Sequence, residues 1–293
     1  MAPSVRKRLR DKLNTGPMIV APGISDAFGA RLVEQAGYEV AYLGGNSVSA
    51  LLLGQPDYGL VDLTLITQHA HRVASCIGIP LICDADTGFG NVVNVRHTIE
   101  EFEAAGVAGI HIEDQVAPKR SGHMPGSRHV IDFNEAVQKI EAAVAARRDP
   151  DFVIIARTDA APGSGVDEAI RRAVAFRNAG ADACFVELKT SDNVIEDMKR
   201  VTSSVNAPCT VNVDGGGKLG ELTIAQIEAM GFRLAILPGV GRYAAGFAIR
   251  EALDVLKRDG NFKAIADRML TMQQYNEVLG TGEFAEWESR YLR

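Results

Sequence analysis

Ile79-Pro80-Leu81-Ile82-Cys83-Asp84-Ala85-Asp86-Thr87-Gly88-Phe89-Gly90-Asn91 runs from an apolar segment into a polar loop broken by glycine. A short continuous apolar run ending in turn residues reads as a strand covered on both faces. Asp84 and Asp86 lie two apart, so on extended chain both carboxylates leave the same face and make half of a hard-cation site. An isolated pair would read as one helix cap and one solvated loop charge. That reading loses ground here, because comparable polar groups recur after nearly every other strand.

Outward from this stretch the chain repeats one unit: an apolar run, a polar or glycine-bearing loop, and a helix with apolar residues at three and four spacing. The runs are Met18 to Ala21, Val40 to Leu43, Leu81 to Asp84, Gly109 to Ile112, Phe152 to Ala156, Ala183 to Glu187, Pro208 to Asn212 and Leu234 to Leu237. Helical spacing predicts Asp26 to Gln35, Val93 to Ala105, Asn134 to Ala146, Asp167 to Ala179 and Thr223 to Met230, with Gly37, Gly106, Gly180 and Gly231 as stops. Eight such units predict an α/β fold, a closed (β/α)8 TIM-type barrel rather than an open doubly wound sheet. A barrel collects its functional residues from many strand ends, an open sheet from one switch point. Gly44-Gly45-Asn46-Ser47, Asp84 and Asp86, Glu113 and Asp114, Arg157 and Asp159, Glu187, and Asn212 and Asp214 all follow strands and are expected to share one mouth. Residues 1–259 would form the barrel and 260–293 a helical extension, with helices around Ala264 to Gln274 and Glu283 to Tyr291, packed on or exchanged with a neighbouring subunit.

The 293 residues carry a net charge of −6, which gives no basic field for nucleic acid. The cluster Arg6, Lys7, Arg8, Arg10 and Lys12 is expected to be the solvated face of a first helix. Cys76, Cys83, Cys184 and Cys209 form no CxxC pair and read as small hydrophobes, not as a disulfide or zinc site. No apolar run is long enough to span a bilayer and the N-terminus lacks a signal-peptide core, so a cytoplasmic protein without membrane or nucleic-acid partner is expected, or a matrix protein after removal of a targeting segment.

Gly215-Gly216-Gly217-Lys218-Leu219-Gly220 satisfies GxGxxG formally, but no clean crossover helix opens on its last glycine and it reads as a flexible loop. His111 reads as a core histidine, and His69, His71 and His97 have no partner spacing. The segment from Glu113 to Gly126 differs in kind. It joins two acids, the cations Lys119 and Arg120, the hydroxyl of Ser121 and the imidazole of His123, interrupted by Gly and Pro, as a lid over an anionic substrate would be.

Taken together, DADTGFGN (84–91), IEDQ (112–115) with KR-x-GH (119–123), DPDFVIIARTDA (149–160), FVEL (185–188) and VNV (211–213) resemble the isocitrate lyase and phosphoenolpyruvate mutase superfamily. The likeness runs from about Pro22 to Pro238. It is strongest to the short-chain branch of methylisocitrate lyases, dimethylmalate lyases and oxaloacetate hydrolases. The resemblance implies Mg²⁺, with Mn²⁺ as substitute, bound directly by Asp86 and through water by Asp84, Asp57 and Glu113. It implies that Gly44, Gly45, Asn46 and Ser47 receive a substrate carboxylate. Arg157 would hold the 2-oxo acid portion, Glu187 and Asn212 would orient the other end, and Lys119, Arg120, Ser121, Gly122 and His123 would form the gating loop. The implied reaction is retro-aldol cleavage of a 2-hydroxy di- or tricarboxylate to a 2-oxo acid and a second carboxylate, in a homotetramer.

One departure stands out. The resembled lyases carry cysteine where this chain has Ser121, and that cysteine is the implied acid that protonates the carbanion left by bond cleavage. A thiol of pKa about 8.5 exchanges protons near neutrality; an alcohol is far weaker. Three accounts stay open: a substitution that slows an otherwise ordinary lyase, a branch with different chemistry such as oxaloacetate decarboxylation or hydrolysis or carboxyphosphonoenolpyruvate mutation, or an inactive carboxylate-binding relative. Leu219 stands where tricarboxylate-specific relatives carry hydroxyls, which favours a dicarboxylate.

Overall fold

The computed structural model describes residues 3–120, 128–188, 191, 193–214 and 217–292. Eight parallel strands close on themselves in sequence order, β1 (Ile19–Ile24), β2 (Ala41–Leu43), β3 (Leu81–Asp84), β4 (Gly109–Glu113), β5 (Val153–Thr158), β6 (Ala183–Val186), β7 (Cys209–Asn212) and β8 (Leu234–Leu237), with β8 pairing β1. The expected eight-stranded barrel is therefore the fold. The strands read as unbroken apolar runs because both faces are covered. Ile19, Ala21, Tyr42, Ile82, Val153, Ile155, Phe185 and Ile236 fill the interior, while Cys83, Ile110, Ile112 and Ile154 pack outward against helices.

The helices between strands fall within a residue or two of expectation: Ala27–Gln35, Val92–Ala104, Phe133–Ala146, Val166–Asn178 and Ile224–Ala229. Gly37, Gly106, Gly180 and Gly231 follow these helices with φ of 82°, 83°, 102° and 94°, the left-handed conformation that ends a helix without steric cost to glycine.

The first helix, Val5–Asn14, closes the bottom of the barrel rather than lying on its surface. Leu9 and Leu13 are buried in the interior cluster, each gaining roughly 2 kcal/mol from leaving water. Two residues of the basic cluster depart from the solvated face expected of it. Arg6 pairs with Asp149 at 2.8 Å and Arg10 with Asp182 at 2.8 Å, holding the plug in place, while Lys7 stays exposed.

Beyond the long helix Val240–Asp259, Gly260 turns at φ 70°. The single helix expected near Ala264 to Gln274 is two elements, a 3₁₀ turn Lys263–Arg268 and a helix Met272–Leu279. Thr271 causes the break: its side chain caps Gln274 and the Gln274 side chain answers Thr271, a reciprocal cap that starts a new helix. The last helix is Thr281–Tyr291. Gly217–Gly220, expected as a flexible loop, forms one helical turn, and Leu219 within it is buried in an apolar cluster with Val211 and Ile227. Leu219 therefore acts as a core residue, and the size argument built on it loses its footing. Cys184 and Cys209 lie in the same cluster, where burial pushes both thiols up to about 12. No helix among the described residues is long and apolar enough to cross a membrane.

Candidate active site

The carboxyl ends of the strands meet over a cavity lined by Tyr42, Gly44, Asn46, Ser47, Asp57, Asp84, Glu113, Lys119, Arg120, Arg157, Glu187, Asn212, Asp214, Pro238 and Arg242. Seven of the eight strands or the loops after them contribute. Asp86 stands beside it on an adjoining pocket that shares Lys119.

The turn after β3 aims its acids through unusual backbone. Asp86 has φ 45° and Phe89 φ 58°, left-handed values that cost a residue with a Cβ roughly 1–2 kcal/mol. The Asp86 amide donates to Asp84 Oδ1 at 2.9 Å, and its carbonyl accepts from the Glu113 amide at 2.8 Å. Gly45 closes in from the opposite side. Its amide donates to Asp84 Oδ2 at 3.1 Å, and a Cβ at this position would lie 2.9 Å from Asp86 Oδ1. Only glycine allows this approach. One amide of the expected carboxylate-receiving loop is thus spent on Asp84, whereas Ser47 Oγ is buried on the cavity wall with no hydrogen-bond partner among the described residues.

Lys119 sits inside the acid cluster. Its ammonium lies 2.7 Å from Asp57 Oδ2 and 2.8 Å from Asp86 Oδ1, with every partner at least nine-tenths buried. Expected on the substrate with its loop, this side chain here serves as counter-ion. Arg120 is exposed beside it, its amide donating to Gln115 Oε1 at 2.9 Å. Ser121, Gly122 and His123 lie outside the described residues.

Arg157 crosses the floor, 3.0 Å from Glu113 Oε2, 3.1 Å from Asp159 Oδ2 and 3.9 Å from Glu187 Oε2. Asn212 Nδ2 reaches Glu187 Oε2 at 3.5 Å. Asp159 is fully buried between Arg157 and Arg128, while Asp114, expected at the mouth, turns away to Thr158 at 2.7 Å and Arg172 at 3.1 Å. Beneath the site Tyr42 Oη and His111 Nε2 are 2.8 Å apart, and His111 Nδ1 is 3.4 Å from Asp84. The core reading of His111 fits this place, yet it also backs an acid of the cavity. Arg128, Tyr42 and Arg242 were not singled out in the sequence. The contacts of Arg128 with Asp159 and of Tyr42 with His111 are long-range, with no local spacing to announce them, and Arg242 lies over the ring of its neighbour Tyr243.

Electrostatics sort these acids. Burial works against the Asp84 carboxylate, but His111, Lys119 and Arg157 outweigh it and hold Asp84 well below the usual carboxylate range. Burial also drags His111 down to about 4, so at neutral pH the two cations carry that effect. Asp86 is pushed up to about 7 by burial and by Asp84 and Asp57, against the pull of Lys119. Burial, with Asp159 and Asp84 nearby, raises Glu113 well above its ordinary value. The upward push on Asp86 and Glu113 signals a shortage of positive charge, since the acids Asp57, Asp84, Asp86 and Glu113 face chiefly Lys119 and Arg157.

A divalent, oxygen-seeking cation fits that shortage. Glu113 Oε1 is buried without a hydrogen-bond partner among the described residues, and Gly45, lacking a Cβ, lets its backbone approach Asp84 and Asp86 without crowding their oxygens. Among the described residues no three acids, imidazoles or thiols close on one point, so such an ion would keep most of its water, the habit of Mg²⁺.

Comparison with known proteins agrees with this architecture. The phosphoenolpyruvate phosphomutase family model matches residues 9–256. A 2,3-dimethylmalate lyase of Eubacterium barkeri is 40% identical over 284 residues, covering 97% of both chains. A structure of oxaloacetate acetylhydrolase with the inhibitor 3,3-difluorooxalacetate superposes with a TM-score of 0.91 at 36% identity, covering 98% of this chain and 96% of that one. A phosphonopyruvate hydrolase complex with oxalate and Mg²⁺ gives 0.90 at 32% identity, covering 99% and 100%. The chain belongs to the phosphoenolpyruvate phosphomutase family, and so to the isocitrate lyase and phosphoenolpyruvate mutase superfamily that its motifs resemble.

Proposed function

We propose that this protein is a Mg²⁺-dependent carbon-carbon lyase that cleaves a 2-hydroxy di- or tricarboxylate, dimethylmalate-like or methylisocitrate-like, to a 2-oxo acid and a second carboxylate. The observation that carries the reading is the buried cluster Asp57, Asp84, Asp86 and Glu113 set against Arg157 at one barrel mouth. Asp86 would hold the ion directly, with Asp84, Asp57 and Glu113 on its water. When bound, the ion supplies Lewis-acid polarisation of the oxygen that becomes the carbonyl. Arg157, fixed by Glu113 and Asp159, offers its guanidinium to the 2-oxo acid carboxylate. Ser47 and Asn46 take the same end from the opposite wall. Asn212 and Glu187 orient the leaving carboxylate, and Ser121 with His123 handles the proton.

The runner-up is hydrolysis or decarboxylation of oxaloacetate. It is supported by the 0.91 likeness to oxaloacetate acetylhydrolase and by Ser121 at the position of the lyase cysteine. Ser121→Cys separates the two. A lyase short of its acid should cleave a dimethylmalate-like or methylisocitrate-like acid about 10²- to 10⁴-fold faster with the thiol, at little change in KM. No gain on any hydroxy acid, with loss of an oxaloacetate reaction, would transfer the assignment to the runner-up.

We further infer a homo-oligomer, a tetramer in keeping with the resemblance. The long helix Val240–Asp259 and the helices after it leave Phe247, Leu253, Phe284 and Trp287 at least three-fifths exposed in the single chain. That much apolar surface marks an interface. A soluble cytoplasmic protein without membrane or nucleic-acid partner completes the reading.

A further inference from the structure

Lys139 is a charge in an apolar stripe. It lies on Phe133–Ala146 with Ala136, Ile140 and Ala143 as its buried companions, and only 5% of it is exposed. Burial pulls its ammonium below the ordinary lysine range, against Glu135, Asp114 and Glu113. A side chain held at that cost needs a task, and its hydrogen bond supplies one: Nζ donates to the Thr87 carbonyl.

Thr87 belongs to the strained turn that carries Asp86. Asp86, Gly88 and Phe89 all have positive φ, at 45°, 78° and 58°. Such a turn persists only when its surroundings over-determine it. Four successive carbonyls are captured. Ala85 O accepts from Gly88 N at 2.8 Å, Asp86 O from Glu113 N at 2.8 Å, Thr87 O from Lys139, and Gly88 O from Thr98 Oγ1 at 3.1 Å. The Thr98 hydroxyl is shared with the Asn94 carbonyl at 3.0 Å, so Lys139 is the stronger of the two side-chain clasps.

We propose that Lys139 is a positioning residue: by holding the Thr87 carbonyl it fixes the turn that aims Asp86 at the cation, and so sets Mg²⁺ affinity. This rests on the Mg²⁺ reading above. Two effects of removing the ammonium oppose each other. Loss of a positive charge near the acids would tighten cation binding, whereas loss of the clasp would loosen it.

Calorimetric titration of Mg²⁺ into the wild type and Lys139→Met decides between them. Methionine suits the apolar stripe, so the metal-free melting temperature should hold, while Kd for Mg²⁺ rises about 10- to 100-fold, the usual cost of losing a support behind a ligand. Activity should return at high Mg²⁺ with kcat near that of the wild type. An unchanged or lower Kd would overturn the proposal while leaving the Mg²⁺ site intact. If Lys139→Met does not fold, Lys139→Leu, which likewise suits the apolar stripe and carries no donor, must still raise Kd; an unchanged value would overturn the proposal equally. A wild type that binds no Mg²⁺ would overturn the underlying reading and the proposal with it.

Discussion

Lys119 shows what a single residue contributes here and how little of it is visible in sequence. Asp84, Asp86 and Glu113 can be picked out because strand ends point them at one mouth. The partner that neutralises them cannot, since Lys119 reaches Asp57 across 62 positions through a loop. Breaking a buried pair by removing one partner costs roughly 3–5 kcal/mol when the other stays charged. Asp86, already near neutrality in its protonation, can take up a proton and soften that loss. Lys119→Gln should therefore lower the melting temperature of the metal-free protein. It should also widen the rise produced by Mg²⁺, because the ion then meets no competing ammonium. Scanning calorimetry with and without Mg²⁺ reads both; a metal-induced rise equal to that of the wild type would show that Lys119 and the ion do not share the site.

Most strands and core helices are legible to within a residue or two, because parallel strands covered on both faces give uninterrupted apolar runs and the glycines after the helices mark their ends, although β1 runs on to Ile24, three residues past the expected Ala21. Legibility failed where a signal depends on what the element meets. The first helix looks like a surface helix, yet Leu9 and Leu13 plug the barrel and Arg6 and Arg10 clamp its floor. Past Gly260, helical spacing hid the cap at Thr271 that splits one expected helix in two. The helix Met272–Leu279 returns to the barrel, where Tyr275 meets Phe28 with ring centroids 5.4 Å apart, while Phe284 and Trp287 on the next helix stay exposed. Deleting Ala264 to Arg293 should accordingly uncover apolar surface and convert the proposed oligomer to a smaller or aggregated species by light scattering. A truncated protein of unchanged subunit number and activity would contradict a role for these helices in assembly.

At the scale of the whole molecule the barrel makes one site out of residues from Tyr42 to Arg242, and the resemblance, rather than spacing, supplied Asp57 and the roles of the loop. The proposed chemistry rests on charge: a divalent ion to balance the buried carboxylates, and a carboxylate substrate for Arg157 beside them. A panel of 2-hydroxy acids and oxaloacetate, assayed for release of the 2-oxo acid product with Mg²⁺, with chelator, and with Asp86→Ala, tests this most directly. At least one branched 2-hydroxy dicarboxylate or tricarboxylate should be cleaved, in a reaction that chelator abolishes and Mg²⁺ restores. Asp86→Ala should lose roughly 10³-fold, the several kcal/mol a bound metal supplies, with its fold intact. Cleavage that is indifferent to chelator and to Asp86→Ala, or no cleavage of any hydroxy acid on the panel, would contradict it.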